Sequence, residues 1–369
     1  MTRVVLAPDG FKGSISAADA ADALAEGWAD VDPGAELLLR PMADGGEGTV
    51  AAFAAAVPGA RTMRVTVEGP AGAPVETTWL LLPPTADAPE GTGVIDLAST
   101  SGIELLDAPR PWDADTTGFG QAIAAALAHG VSRLILGIGS SASTDGGTGF
   151  LGALGARLLD GGGAPIPRGA RGLASVTLVD RSELVAPPPT LVLTDVTNPL
   201  TGPQGAAAVF GPQKGLIAAD AIAEVDRGLD RLAALLDLDP RTPGAGAAGG
   251  TGGALLAWGA TLAPGAQEVA RLVGLAEAVA GADVVITGEG SFDGQSGAGK
   301  APAYVAALAA EAGVRVALAA GRIAGDADVS SFAASTSLVE IAGSTAAALG
   351  HPARHLRTAG STLARMLLG

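Results

Sequence analysis

Short apolar segments alternate with longer amphipathic ones at both ends of the chain. The short segments predict buried strands at residues 3–7, 36–40, 283–287, 315–319 and 338–341. The longer segments predict helices at residues 18–25, 49–56, 302–312, 328–334 and 351–367, the first of them capped by Ser14 or Ser16. Alternation of this kind favours a parallel sheet covered by helices on both faces.

The middle of the chain has a different pattern. Residues 61–67 and 75–82 alternate around the turn sequence Gly69-Pro70-Ala71-Gly72, which predicts a hairpin. Further strands are predicted at 94–97, 133–136 and 191–194, and helices at 117–129, 148–158, 218–236 and 253–258. We therefore predict an α/β protein with a discontinuous flavodoxin-like domain (1–60 plus 279–369) and a large inserted α/β domain (61–278). Its active site is expected in the cleft between the two domains.

Composition and charge exclude several classes of function. The 369 residues are 48% hydrophobic but only 3% aromatic, so the core is built from small aliphatic side chains. A net charge of −16 argues against binding to nucleic acid or to an acidic membrane surface. Cysteine is absent and the three histidines lie outside the glycine-rich loops, which speaks against thiolate and Ser-His-Asp catalysis. The first apolar run is too short for a signal peptide and no segment approaches a membrane span, so we expect a cytoplasmic protein.

The candidate chemistry lies in glycine-rich loops. The chain has three lysines, and each sits in such a loop, which indicates anion binding. Carboxylates in the same loops would repel a bare anion, so they are better suited to holding Mg²⁺ or to deprotonating a hydroxyl. Phosphoryl transfer needs this combination of groups. The loops contain Asp9 and Lys12, Asp44 and Glu47, Ser140, Ser141 and Asp145, Asp195 and Asn198, Gln213 and Lys214, and Glu289, Asp293 and Lys300.

Other interpretations of these loops remain open at this point. Residues 294–300 fit the pattern of a phosphate-binding P-loop, but Ala301 stands where Ser or Thr is needed. Residues 137–142 resemble a dinucleotide fingerprint, which would suit an NAD-dependent oxidoreductase acting on a small hydroxy acid. A non-catalytic binder of sugar acids is a third alternative. Asp9 and Asp145 could serve only as helix caps, and Asp44 could serve only in a turn.

Several longer segments resemble the type I family of bacterial glycerate kinases. They run in the order of that family from residue 5 to residue 322 and so cover nearly the whole chain. The segments are APDGFKGS (7–14), ADGGEGT (43–49), TDGG (144–147), DVTNPL (195–200), VFGPQKG (209–215), PGAGAAGG (243–250) and TGEG (287–290). The chain departs from the pattern at Gly10, Ser140, Thr144 and Ser291, where Ser, Gly, Asn and Arg are usual.

The resemblance implies phosphorylation of D-glycerate by ATP with Mg²⁺, giving 2-phosphoglycerate, with 3-phosphoglycerate as the alternative product. On this basis Glu289 and Asp293 are expected to hold the metal, and Asp195 to act as base. Asp9, Lys12 and Lys300 are grouped with the catalytic residues, the two lysines neutralising phosphate charge. The nucleotide is expected to contact Gly288, Gly290, Gly299 and Lys300. The substrate is expected to contact Asp44, Ser140, Ser141, Asp145, Asn198 and Lys214. A homodimer is compatible with this interpretation.

Overall fold

The strands and helices were located in a computed structural model that describes residues 1–11, 13–294 and 301–369. The described residues form thirteen strands: β1 (Arg3–Pro8), β2 (Glu36–Leu39), β3 (Arg61–Glu68), β4 (Pro74–Leu82), β5 (Thr92–Asp96), β6 (Arg133–Gly137), β7 (Arg157–Asp160), β8 (Val176–Asp180), β9 (Thr190–Leu193), β10 (Thr261–Ala263), β11 (Val284–Phe292), β12 (Arg315–Ile323) and β13 (Ala334–Ser337).

The α-helices of the same residues number fourteen: α1 (Ala17–Ala29), α2 (Thr49–Ala56), α3 (Ala98–Ser101), α4 (Thr117–His129), α5 (Thr148–Ala153), α6 (Ala206–Phe210), α7 (Ala219–Leu235), α8 (Thr251–Trp258), α9 (Gly265–Leu272), α10 (Leu275–Ala280), α11 (Ala301–Glu311), α12 (Leu338–Ala342), α13 (Thr345–Gly350) and α14 (Pro352–Leu368). None of these helices is both long and apolar enough to span a membrane.

The first compact unit comprises residues 1–44, 51–58 and 266–369. Its sheet is parallel throughout, in the order β13-β12-β11-β1-β2. Counted within this unit, the order is the 2-1-3-4-5 of flavodoxin-like folds, which confirms the predicted fold class. Val4, Val5 and Leu6 of β1 have no exposed surface, as expected of a central parallel strand buried on both faces.

Helices α1 and α14 pack against each other through glycines. A Cβ atom added to Gly27 would lie 1.9 Å from the carbonyl oxygen of Arg357, and one on Gly360 would lie 2.3 Å from that of Leu24. Helix α1 begins after Ser16, whose side chain accepts a hydrogen bond from the backbone N–H of Asp19. Of the two predicted caps, Ser16 is therefore the one that is used.

The second unit comprises residues 45–50 and 59–265. Its six-stranded sheet has the order β10-β9-β6-β5-β4-β3, in which β5, β6, β9 and β10 are parallel and β3, β4 and β5 are antiparallel. The predicted hairpin is confirmed as β3–β4. The core is aliphatic with a few aromatic contacts, among them Phe150 against Phe119 and Trp258.

Two stretches of the predicted secondary structure are wrong. Helix α5 ends at Ala153 instead of Leu158, because Gly155 adopts a left-handed φ of 104°, and residues 157–160 form β7 of a hairpin with β8. Near the C-terminus, the predicted helix at 328–334 does not form, and the predicted strand at 338–341 is helix α12. Ser337 caps α12 by accepting from the N–H of Glu340, and the last strand of the sheet is the preceding β13.

The boundaries of the compact units differ from the domain boundaries expected from sequence. Residues 266–278, which the sequence assigned to the inserted domain, belong to the first unit. Residues 45–50 and 59–60, assigned to the flavodoxin-like domain, belong to the second. None of these segments contributes a strand, so the strand pattern gave no signal for the boundaries.

Candidate active site

Four of the predicted carboxylates, Asp9, Asp44, Glu289 and Asp293, line one cavity of about 380 Å³ in the first unit. Asp9 follows β1, Glu289 lies within β11 and Asp293 follows β11. Strands β1 and β11 are parallel neighbours, and the N–H of Asp9 donates to the carbonyl oxygen of Gly288 at 2.8 Å. The carboxyl ends of these strands therefore meet at the edge of the sheet where open α/β folds bind ligands.

Glycines at this edge are required by close strand packing. A Cβ atom on Gly288 would lie 1.9 Å from the carbonyl oxygen of Ala319, and one on Gly321 would lie 2.3 Å from that of Gly290. Gly290 and Gly321 also line the cavity, so backbone is presented there directly. The other predicted nucleotide contacts and lysines of this half, Lys12, Gly299 and Lys300, lie outside the described residues.

A guanidinium group also reaches this cavity. Ser291, where the resembled family usually has Arg, is paired in parallel register with Arg322 of β12, and both residues line the cavity. Arg322 is the only cationic side chain among the described residues of the lining. Sequence reasoning missed it, because arginine on a predicted turn carries no signal of its own.

In the second unit, the loop at residues 45–46 rests against the carboxyl ends of β6 and β9. The N–H of Gly139 donates to the carbonyl oxygen of Gly45 at 3.0 Å. A Cβ atom on Gly139 would lie 2.5 Å from the Cα of Gly46, and one on Gly45, whose φ is 93°, would lie 2.3 Å from the carbonyl oxygen of Leu193. The glycines at 137–139 thus accommodate another segment of the chain, which explains their spacing without a dinucleotide.

Asp195 and Asn198 follow β9 at the same edge of this sheet. Asp195 is exposed, and one of its carboxylate oxygens accepts from the N–H of Gly265 at 2.9 Å. The amide of Asn198 donates to the carbonyl oxygen of Gln204 at 2.8 Å, and its backbone carbonyl accepts from Gly246. Asp195 is therefore presented to solvent on a fixed loop, whereas Asn198 shapes the loop that carries it.

Lys214 is buried, with 2% of its surface exposed. Its Nζ donates to Ser141 Oγ at 2.6 Å and to the carbonyl oxygen of Ser143 at 2.5 Å. Burial lowers the pKa of Lys214 to about 7, although the negative charge of Asp145 acts in the opposite direction. The side chain of Lys214 thereby holds the loop after β6 in place. Ser140, whose φ of 58° is left-handed, is partly exposed, whereas Ser141 and Ser143 of the same loop are buried.

Asp145 has no exposed surface. One carboxylate oxygen accepts from Ser143 Oγ and the N–H of Gly147, at 3.0 and 3.2 Å. The other accepts from the N–H and Oγ1 of Thr116 and from the N–H of Gly149, at 3.0, 2.8 and 3.2 Å. Burial raises the pKa of this carboxyl group, and the charge of Asp115 adds to the effect. Asp145 and Lys214 therefore hold the loop after β6 in position, and the expectation that they also touch the substrate stays a prediction.

Asp96, a further acidic residue that the sequence did not single out, lies at the carboxyl end of β5. It is 5% exposed and accepts a hydrogen bond from the N–H of Ser99 at 2.9 Å. Burial raises its pKa, and the hydrogen bonds from Ser99 oppose the change. The signal was present in the sequence, since Asp96 is the single charge in an otherwise apolar strand.

Comparison with known proteins decides the family. A model of the glycerate kinase family matches residues 4–368. The chain belongs to the glycerate kinase family. It is 42% identical over 335 residues to the glycerate kinase of Bacillus subtilis (strain 168), covering 88% of this chain and 86% of that one. It is 41% identical over 321 residues to the glycerate 2-kinase of Escherichia coli (strain K12), covering 83% and 82%.

A solved structure agrees with this assignment. A crystal structure described as a glycerate kinase 2 from Salmonella typhimurium LT2 matches with a TM-score of 0.83 and 36% identity, covering 100% of this chain and 98% of that one. The protein is therefore an enzyme with kinase activity, as the sequence predicted. Family membership leaves no support for the oxidoreductase or the non-catalytic binder.

The buried lysine predicts a pH-dependent stability of this glycerate kinase family member. Between about pH 7 and the ordinary lysine pKa of 10.5, the unfolded chain binds a proton that folded Lys214 does not. The contribution of this group to the free energy of unfolding therefore rises with pH through that window, by at most about 1.4 kcal/mol per pH unit. Lys214→Met is expected to remove this rise in urea unfolding between about pH 7 and pH 9. Parallel pH curves for the two proteins would show that Lys214 is not desolvated.

Proposed function

We propose that the protein transfers the γ-phosphoryl group of ATP to the 2-hydroxyl of D-glycerate, giving 2-phosphoglycerate and ADP, with Mg²⁺ as cofactor. The observation that carries the proposal is the set of four carboxylates that line one cavity, three of them (Asp9, Glu289 and Asp293) at or near the carboxyl ends of β1 and β11. The position of phosphorylation is supported by the 41% identity to the E. coli protein named glycerate 2-kinase. A cytoplasmic location and a homodimer stay predictions of the sequence.

The cavity carboxylates fit the requirements of magnesium. Among the described residues, no three acidic or histidine side chains converge as a metal cluster. Mg²⁺ in kinases does not need such a cluster, because it keeps several waters and takes only one or two protein carboxylates besides the substrate phosphates. Glu289 and Asp293 would hold it, while Asp9 and Asp44 would order its waters. The bound ion would neutralise charge on the phosphates during transfer.

The acceptor side of the reaction requires a base beside the hydroxyl. A bond forms between the 2-oxygen of glycerate and the γ-phosphorus, while the bond from that phosphorus to the β–γ bridging oxygen breaks. The hydroxyl proton passes to the carboxylate of Asp195, which is exposed and fixed by Gly265. Ser140 and Ser141 lie on the loop held by Lys214, and Ser140 is the partly exposed one, so its hydroxyl is proposed to bind glycerate. Lys12 and Lys300 are proposed to neutralise phosphate charge.

Variants of Ser140 can separate the effect of its hydroxyl group on substrate binding from the effect of its strained backbone on stability. Ser140→Gly removes the hydroxyl and relieves a left-handed conformation, which costs a side chain about 1–2 kcal/mol. Relief of the strain raises the free energy of unfolding, but the greater conformational freedom of glycine in the unfolded chain lowers it by about 0.5–1 kcal/mol. We expect an unfolding free energy within about 1 kcal/mol of wild type and a KM for glycerate raised about tenfold by loss of one hydrogen bond.

Ser140→Ala is the matched control for this variant. It lacks the same hydroxyl and keeps the strain, so it should show the same KM change with lower stability than the glycine variant. An unchanged KM in both variants would remove Ser140 from the substrate site.

Release of ADP tests the proposed function. The purified protein is incubated with ATP and Mg²⁺, and ADP is measured by an enzyme-coupled assay with D-glycerate, L-glycerate, glycolate or lactate as acceptor. We expect rapid release with D-glycerate alone, because the other acids differ in configuration or lack the 3-hydroxyl. Release at the rate of the acceptor-free control with every acid would overturn the proposal.

A further inference from the structure

The residues that line the cavity of the first unit include two chemically different groups. The carboxylates described above form one group. The other is an apolar wall, which we define as Phe11, Leu338, Val339, Ala348 and Leu349, and its first four members belong to one apolar cluster. None of the residues of this wall was singled out by the sequence, and the proposed roles of the carboxylates do not use them.

Helices α12 and α13 build most of the wall. Ser337 caps α12 by accepting from Glu340, and Ser344 caps α13 by accepting from the N–H of Ala347 at 3.2 Å. Between the helices, Gly343 has a left-handed φ of 81°, which turns the chain sharply. Two caps and a glycine turn therefore fix the positions of Leu338, Val339 and Leu349.

The wall leaves apolar surface exposed at the mouth of the cavity. Leu338 is buried at 2%, but Leu349 is 56% exposed and is among the most exposed large hydrophobic residues of the described chain. Covering such a side chain with an apolar ligand is favourable by about 25 cal/mol per Å² of surface removed from water. A ligand with a flat apolar part would gain from this contact.

We propose that the apolar wall receives the purine base of the nucleotide donor, with the phosphates directed towards the carboxylates. This rests on the proposed function, in which ATP is the donor. Glycerate would not suit the wall, because it is a small anion without apolar surface. A magnesium–nucleotide complex matches both groups of lining residues, and a cavity of about 380 Å³ is within the usual size for such ligands.

Leu349→Glu tests the proposal without disturbing the core. Since the side chain is exposed, the variant should fold as the wild type does, which circular dichroism and the melting temperature would verify. We expect binding of ADP with Mg²⁺, measured by calorimetry, to weaken about tenfold, and the KM for ATP to rise about as much. The KM for glycerate should change less than about twofold. Leu349→Met, which keeps the apolar contact, should bind ADP like the wild type.

Met366→Glu is the matched control, because Met366 is also 56% exposed and belongs to α14 of the same unit, outside the cavity. Its affinity for ADP should equal that of the wild type. Equal affinity of Leu349→Glu and Met366→Glu would overturn the proposal, as would failure of the wild type to bind ADP. The two proposals can fail separately. If the wild type binds ADP and Leu349→Glu does not, the assignment of the apolar wall to the purine base is supported. If no acid is then phosphorylated, the proposed acceptor is wrong.

Discussion

Asp195→Asn is expected to lower kcat for D-glycerate about 100-fold or more, which is the usual effect of removing a general base. The amide has the same shape and its oxygen can still accept from the N–H of Gly265, so the loop keeps its conformation. It cannot take the proton of the substrate hydroxyl. Because Asp195 is exposed, the free energy of unfolding should change by less than about 0.5 kcal/mol.

Steady-state kinetics would measure this effect, with kcat and the KM for glycerate determined separately. Asp107→Asn, at another exposed loop aspartate of the same unit, is the control and should retain wild-type kcat. Near-full turnover by Asp195→Asn, with glycerate binding intact, would show that another group is the base.

The largest expected loss of stability comes from Asp145→Asn. Both carboxylate oxygens of Asp145 accept from backbone N–H groups: one from Gly147, the other from Thr116 and Gly149. Whichever way the asparagine amide is turned, its NH₂ group therefore faces at least one backbone N–H group that has lost its acceptor. Hydroxyl groups can turn away, but backbone donors cannot. Removing a buried charge recovers part of the desolvation cost, yet the lost charged hydrogen bonds should still lower the free energy of unfolding by about 3 kcal/mol.

Asp160→Asn is the control that separates the effect of burial on stability from the effect of losing hydrogen bonds. Asp160 also accepts from two backbone N–H groups, of Gly162 and Ala164 at 2.9 Å each, but in an exposed turn where water can replace it. Urea unfolding should therefore show a loss below about 1 kcal/mol for this variant. Similar losses of unfolding free energy in Asp145→Asn and Asp160→Asn would mean that the burial of Asp145 does not determine its contribution to stability.

The first unit could be predicted well wherever periodicity was strong. The apolar run of β1 and the helix after Ser16 were recognisable, and with them the position of Asp9 at the end of a strand. β13 was missed because its sequence, Ala-Ser-Thr-Ser, has no large apolar residue and only one β-branched residue, Thr336. The adjoining Leu338 and Val339 then suggested a strand, although the cap at Ser337 marks a helix.

The burial of Lys214 and Asp145 could not be read from the sequence. A lysine or aspartate in a glycine-rich loop looks like a ligand contact, since nothing local shows which partners a distant segment supplies. Lys214 reaches Ser141 and Ser143 across about 70 residues of sequence, and Asp145 reaches Thr116. The apolar wall was missed for the same reason, because its residues become a surface only when α12 and α13 are folded against the sheet.

Phosphorus NMR of the product tests the central claim most directly. The enzyme is allowed to convert D-glycerate with ATP and Mg²⁺, and the proton-coupled ³¹P spectrum of the new monoester is recorded. Phosphate on the 2-oxygen is coupled to one proton, so the account predicts a doublet. A triplet, from the two protons on carbon 3, would contradict the proposed position, and the absence of any monoester signal would contradict phosphorylation of glycerate itself.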